Sequence, residues 1–162
     1  MRFSGKVAIV TGAGQGIGEH YATALAAEGA AVVVAEIAEE SGRRVAADIV
    51  ASGGQALFVR TDVADEQSTK AAVAEAVDAF GGVDFLVNNA AIYAGMLRAP
   101  WMEVPLDYYR RFMEVNMNGV LLMARIDENA DPKVASHLAK IDRNAERVSA
   151  IVGGLLGFAR SR

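Results

Sequence analysis

Short apolar runs alternate along this chain with longer stretches in which apolar residues recur every three or four positions. Residues 6–11 (Lys-Val-Ala-Ile-Val-Thr) are a β-branched run ended by Gly12. With no polar alternation, the run predicts a strand buried on both faces, as in parallel sheets. A helical pattern follows from Gly16 to Glu28 through Ile17, Tyr21, Ala24 and Leu25, and stops at Gly29. Residues 31–35 predict a second buried strand, and 38–52 a helix halted by Gly53-Gly54. Residues 56–59 predict a third strand. Asp65 is placed as the N-cap of a helix through Val73, Val77 and Phe80, ended by Gly81-Gly82. Residues 83–87 predict a fourth strand.

This alternation predicts an α/β fold: a Rossmann-like, doubly wound parallel sheet of about four strands, with right-handed crossovers. The sheet is partial, because no fifth buried strand follows, and the fourth strand is a potential exposed edge. Residues 91–105 are irregular and contain Pro100, Trp101 and Pro105. A long helix is expected over about 106–125, through Tyr109, Phe112, Met113, Val120 and Met123. The polar stretch 126–131 breaks the pattern, and Asp131-Pro132 begins another helix. Its apolar residues Val134, Leu138, Ile141, Ala145, Val148, Val152, Leu155 and Ala159 fit a heptad seam. The expected domains are therefore a dinucleotide-binding unit at 1–125 and an amphipathic helical tail at 126–162.

Composition narrows the function. The chain has 162 residues, is 52% hydrophobic and carries a net charge of −4, which argues against nucleic acid as its main partner. It has no cysteine, which excludes disulfides and thiolate chemistry, and two distant histidines, His20 and His137, which do not suggest a metal site. No signal-like leader or membrane-length apolar run is read, so a cytoplasmic protein with no membrane partner is expected.

The chemistry concentrates at predicted strand ends. The first strand–helix junction reads Thr11-Gly-Ala-Gly-Gln-Gly-Ile-Gly18. A helix N-terminus offers free N–H groups and the positive end of a dipole to a diphosphate. Glycines at Gly12, Gly16 and Gly18 permit the tight turn and close backbone approach. Glu36 ends the second strand, where a carboxylate can accept hydrogen bonds from ribose hydroxyls and repel a 2′-phosphate, favouring NAD over NADP. Asp62-Val63 and Asn88-Asn-Ala-Ala91 follow the third and fourth strands.

Over about residues 1–125, these motifs resemble the short-chain dehydrogenase/reductase family, with its T-G-x-x-x-G-x-G loop, acid after the second strand, Asp-hydrophobic pair and N-N-A-G turn. Ala91 departs from the usual glycine. The resemblance implies NAD as cofactor, held by Gly12, Gln15, Gly16, Ile17, Gly18, Glu36, Asp62, Val63, Asn89, Ala90 and Ala91. It implies hydride transfer between the cofactor and an alcohol or ketone. A homo-oligomer is expected, with the heptad tail and the 106–125 helix as a dimer interface. It matches Asn116 to the family's helix asparagine, which supports a proton relay. The family's catalytic serine and Tyr-x-x-x-Lys pair are not found: the residues four positions after Tyr21, Tyr93, Tyr108 and Tyr109 are Leu25, Leu97, Phe112 and Met113. Tyr93 and Tyr108 are the alternative acids, though no lysine is spaced to tune either. Residues 138–160 resemble the second dimerisation helix of sensor histidine kinases, which leaves open a fusion in which the chain is an assembly module with a vestigial dinucleotide site.

Overall fold

The computed structural model describes residues 1–93 and 95–119. Four parallel strands form one sheet: β1 (Val7–Thr11), β2 (Ala31–Glu36), β3 (Gln55–Arg60) and β4 (Phe85–Val87). Three helices connect them in turn: α1 (Gly16–Ala27), α2 (Glu39–Ala51) and α3 (Glu66–Phe80). The strand order is β3-β2-β1-β4. Val10 lies beside Val34 and Val87, and Val34 beside Phe58, so side chains of one face stack in rows across the sheet.

Given that order, handedness fixes which face each helix covers. The first two crossovers step one way across the sheet, so right-handed connections place α1 and α2 on the same face. After β3 the chain returns past β2 and β1 to build β4, which sends α3 to the other face. The core agrees: Val10, Val32 and Val34 pack with Ala22 and Ala26 of α1 and Val45, Ala46 and Ile49 of α2. The buried residues of α3, Thr69, Ala72 and Ala76, lie outside that cluster. Every residue of β1 and β2 is buried, which is why their sequences show no polar alternation.

Differences from the sequence reading have local causes. The fourth strand is shorter than 83–87, because the Asp84 carboxylate accepts the Val7 N–H at 2.9 Å and the Lys6 ammonium at 2.6 Å. The Asp84 N–H still donates to the Val7 carbonyl at 2.8 Å, and the side-chain bonds close that end of the pairing. β4 lies at the sheet edge, with Phe85 exposed and set edge-on to Phe3. The helix expected over 106–125 begins as α4 (Leu106–Met113) but widens into a π-type turn over Glu114–Asn118. A 3-10 turn, Trp101–Glu103, interrupts the irregular stretch before it. Asp65 caps α3 as expected, its carboxylate accepting the Gln67 N–H at 3.1 Å. The tail at 126–162, including the kinase-like seam, and the end of the expected 106–125 helix lie outside the described residues. Among the described residues, no helix is long and apolar enough to cross a membrane.

Candidate functional site

In a parallel sheet all strand carboxyl ends share one edge, so the loops after β1, β2, β3 and β4 gather there. The chain steps from β1 through β2 to β3 on one side and returns to place β4 on the other side of β1, so the strand order reverses between β1 and β4, and the crevice at such a switch point is where open α/β sheets bind ligands.

The loop after β1 is braced from beneath. Thr11 is buried, and its hydroxyl donates to the Val87 carbonyl at 3.3 Å while accepting N–H bonds from Asn89 and Ala90, both at 3.0 Å. The Asn89 side chain returns the tie, donating from Nδ2 to the Thr11 and Gly12 carbonyls at 3.0 and 3.1 Å. Asn89 therefore spends its donors on the backbone, joining the β1 and β4 ends. Gly12 has φ 64°, and a Cβ there would stand 2.8 Å from the Ala90 Cα. This packing demands a glycine on both conformational and steric grounds. A Cβ on Gly18 would strike the Gly12 carbonyl oxygen, so α1 begins hard against the loop.

The tip of α1 faces outward. Gln15 is extended, exposed and makes no side-chain cap bond. The first N–H groups of a helix have no intrahelical acceptor, so this tip presents bare amides. Gly16 has φ 57°, and a Cβ there would project into open space. Ile17 is 70% exposed beside it. A diphosphate fits this cradle: it meets donors and glycine surfaces in place of side chains.

Glu36 closes the β2 end of the crevice. It is buried at 8% exposure, yet its carboxylate is well supplied with donors. Oε1 accepts the Ile37 and Ala38 N–H groups at 2.9 and 3.0 Å, and Oε2 accepts the Gly14 N–H at 3.0 Å. One oxygen thus holds two donors and the other only one, leaving Oε2 able to accept a ligand hydroxyl. The two arginines on α2 are engaged elsewhere. Arg43 lies over the Phe58 ring and pairs with Glu39, while Arg44 pairs with Glu19 and Asp48. The Glu19 carboxyl is held below its usual range by its hydrogen bond to the Arg44 guanidinium.

Asp62 is also a tie. Its Oδ1 accepts the Ala64 N–H at 3.0 Å, and its Oδ2 accepts from the Arg111 guanidinium of α4 at 2.8 Å. Val63 is buried, and a Cβ on Gly119 would approach its Cγ2 to 2.9 Å. Asn116 accepts the Ile92 N–H at 2.7 Å and donates to the Ile92 carbonyl at 3.3 Å. It sits within the π-type turn, a form found often at functional sites. Ala91, next to Ile92 in the chain, is exposed, so its methyl has room. Tyr93 is 80% exposed, and the Tyr108 phenol oxygen accepts the Leu97 N–H at 3.0 Å, bracing the irregular loop.

The structure therefore brings Gly12, Gln15, Gly16, Ile17, Gly18, Glu36, Asn89 and Ala90 to one corner, and links Asp62-Val63 and Asn116 through α4 and its π-type continuation. The sequence reading gave no role to Thr11, Gly14, Arg44 or Arg111. A hydroxyl closing a wholly apolar strand was the available signal for Thr11. The other three act through contacts distant in sequence. No cluster able to hold a metal occurs among the described residues.

Comparison with known proteins gives the same assignment. The family profile described as short chain dehydrogenase matches residues 6–127. An uncharacterized oxidoreductase of Mycobacterium tuberculosis is 56% identical over 138 residues, covering 85% of this chain and 53% of that protein. The 2,5-dichloro-2,5-cyclohexadiene-1,4-diol dehydrogenase of Sphingobium indicum is 48% identical over 120 residues, covering 74% and 46%. Among solved structures, a 7 alpha-hydroxysteroid dehydrogenase complexed with NADH and 7-oxo glycochenodeoxycholic acid superposes with a TM-score of 0.70 at 38% identity. That match covers 76% of this chain and 47% of the other. The chain spans about half the length of the proteins it matches.

Proposed function

The chain belongs to the short-chain dehydrogenase family, and from that premise we propose that it binds NAD(H) as the cofactor-holding part of a dehydrogenase acting on an alcohol or ketone. The observation that carries this reading is the bare tip of α1 set beside the Glu36 carboxylate at the β1–β4 switch point.

The division of labour follows from the geometry. The amides at 16–18 receive the diphosphate through the helix-end field. Glu36 Oε2 accepts from a ribose hydroxyl, and its charge opposes a 2′-phosphate, so NAD is preferred over NADP. The commitments of Arg43 and Arg44 to acidic partners support the same preference. Val63 and the Asp62 backbone border the adenine side. Asn116 fixes the Ile92 backbone at the nicotinamide side. When bound, the cofactor supplies hydride acceptance or donation.

No tyrosine in the 162 residues is followed four positions later by lysine, and no serine strand is read. We therefore assign cofactor binding to this chain and expect no steady turnover from it alone. A homo-oligomer belongs to the same proposal, and solution size measured with and without NAD tests it.

Calorimetry with NAD, NADP and ADP-ribose decides the central point. The expected order is NAD and ADP-ribose binding comparably, with NADP at least tenfold weaker. NADP binding as tightly as NAD would overturn the role given to Glu36, and no binding of any of the three would overturn the site. Steady NADH oxidation with a carbonyl substrate would show that the catalytic inventory is wrong.

A further inference from the structure

Gly14 stands at a singular point of the loop. Its N–H is held by Glu36 Oε2 at 3.0 Å, and its carbonyl accepts from Arg44 Nη2 at 3.2 Å. These two bonds lie on the two peptide planes flanking one Cα, so together they restrain both backbone torsions of Gly14. No side chain can do that work in their place. A Cβ at Gly14 would stand 2.5 Å from the Ser41 hydroxyl and 2.7 Å from the Glu36 Cγ. A side chain there would have to displace the Ser41 and Glu36 side chains, and glycine is the residue that loses most freedom on ordering. The next residue, Gln15, starts the uncapped tip of α1.

Arg44 is itself well aimed. Its Nη1 and Nη2 reach the two oxygens of Glu19 at 3.0 and 2.9 Å, a paired fork that fixes the plane of the guanidinium. Nη1 also reaches Asp48 at 3.2 Å. Glu19 lies in the first turn of α1. One side chain from α2 therefore ties together the glycine loop and the helix that the loop opens.

We propose that Arg44 is a positioning residue for the diphosphate site: with Glu36 it clamps Gly14 from both sides and so aims the bare α1 amides before a ligand arrives. This deepens the NAD(H) reading and rests on it, but the clamp exists in the free protein and can be tested there. A rival account is purely electrostatic, since Arg44 also neutralises an acid near the anion's seat.

The test uses Arg44→Met, which keeps an apolar stem and removes the fork, together with the double variant Glu19→Gln/Arg44→Met. Hydrogen exchange of the free protein is expected to show the Gly14 amide, held by Glu36, exchanging faster in Arg44→Met, with the β1 and β2 amides unchanged. Unchanged exchange at the Gly14 amide would overturn the clamp whether or not NAD binds. For ligand, NAD and ADP-ribose are both expected to weaken roughly threefold to tenfold in Arg44→Met, the scale of one charge-assisted bond at a partly exposed site. The double variant is expected to stay equally weak. Restored affinity in the double variant would mean that Arg44 acts only by cancelling the Glu19 charge, and the positioning role would fall. Failure of the unaltered chain to bind NAD, with faster Gly14 exchange in Arg44→Met, would sink the cofactor reading and leave the clamp standing.

Discussion

The entrances to α1 and α3 are built in opposite ways. Both follow parallel strands and both open at the same edge of the sheet. At α3 the chain satisfies itself: Asp65 accepts the Gln67 N–H at 3.1 Å, and Ser68 accepts the Asp62 N–H at 2.9 Å. At α1 the cap position holds Gln15, with no side-chain bond, and the surrounding residues are Gly12, Gly14, Gly16 and Gly18. The α1 entrance leaves its end open and takes its braces from elsewhere: Thr11, Asn89, Glu36 and Arg44. The rigidity of the α1 entrance is thus supplied from β4, β2 and α2, and the capping of the α3 entrance from within its own segment.

That contrast can be broken most severely at Gly12. Gly12→Val demands an unfavourable φ and collides with Ala90 backbone, and is expected to cost about 3 kcal/mol of stability. Chemical denaturation measures it, and a loss under about 1 kcal/mol would show that the loop can yield. Next is Gln15→Asp, which gives α1 the cap that α3 already has. The free protein is expected to gain about 0.5–1 kcal/mol, while NAD binding weakens roughly tenfold because a carboxylate now competes for the amides. Tighter NAD binding would refute an anion seat at this tip. Asp65→Ala is the matching change at α3. Its expected cost is about 1 kcal/mol of stability with no change in NAD affinity, read by thermal melts beside calorimetry.

The smallest expected effect is on acid stability. At Asp84, burial raises the pKa, but the bonds from Lys6 and the Val7 N–H outweigh it, and the net displacement is below the ordinary 3.8. A carboxyl depressed in the folded state contributes stability above its unfolded pKa and loses it as pH falls through the folded value. Asp84→Asn is therefore expected to remove a contribution of under about 1 kcal/mol above pH 4 and to flatten the loss of stability below it. Parallel pH profiles for the two proteins would remove Asp84 from the acid response.

Local pattern made much of this protein legible. The apolar runs at 6–11 and 31–35 announced buried parallel strands because burial on both faces erases alternation, and β1 and β2 are buried throughout. Asp65 was readable as a cap because capping is a bond to a near neighbour in sequence. The glycine loop was readable because few other uses place glycines so densely between a strand and a helix. The π-type turn at Glu114–Asn118 was not readable as a break in helix, since it accompanies a bond between Asn116 and Ile92, 24 residues apart. Arg111 carries no signal within its own segment, since its partner Asp62 lies 49 positions away.

Sequence by itself determined the alternation of strand and helix, the glycine tip and the acid at Glu36, because each depends on residues within a turn or two of one another. Only the tertiary structure decided that Asn89 braces the loop from below, that Glu36 and Arg44 hold Gly14 from opposite sides, and that Asp62 is joined to α4. Those are meetings of groups 22 to 78 residues apart. Local spacing carries no information on such contacts, which arise when right-handed crossovers bring the ends of parallel strands to one edge.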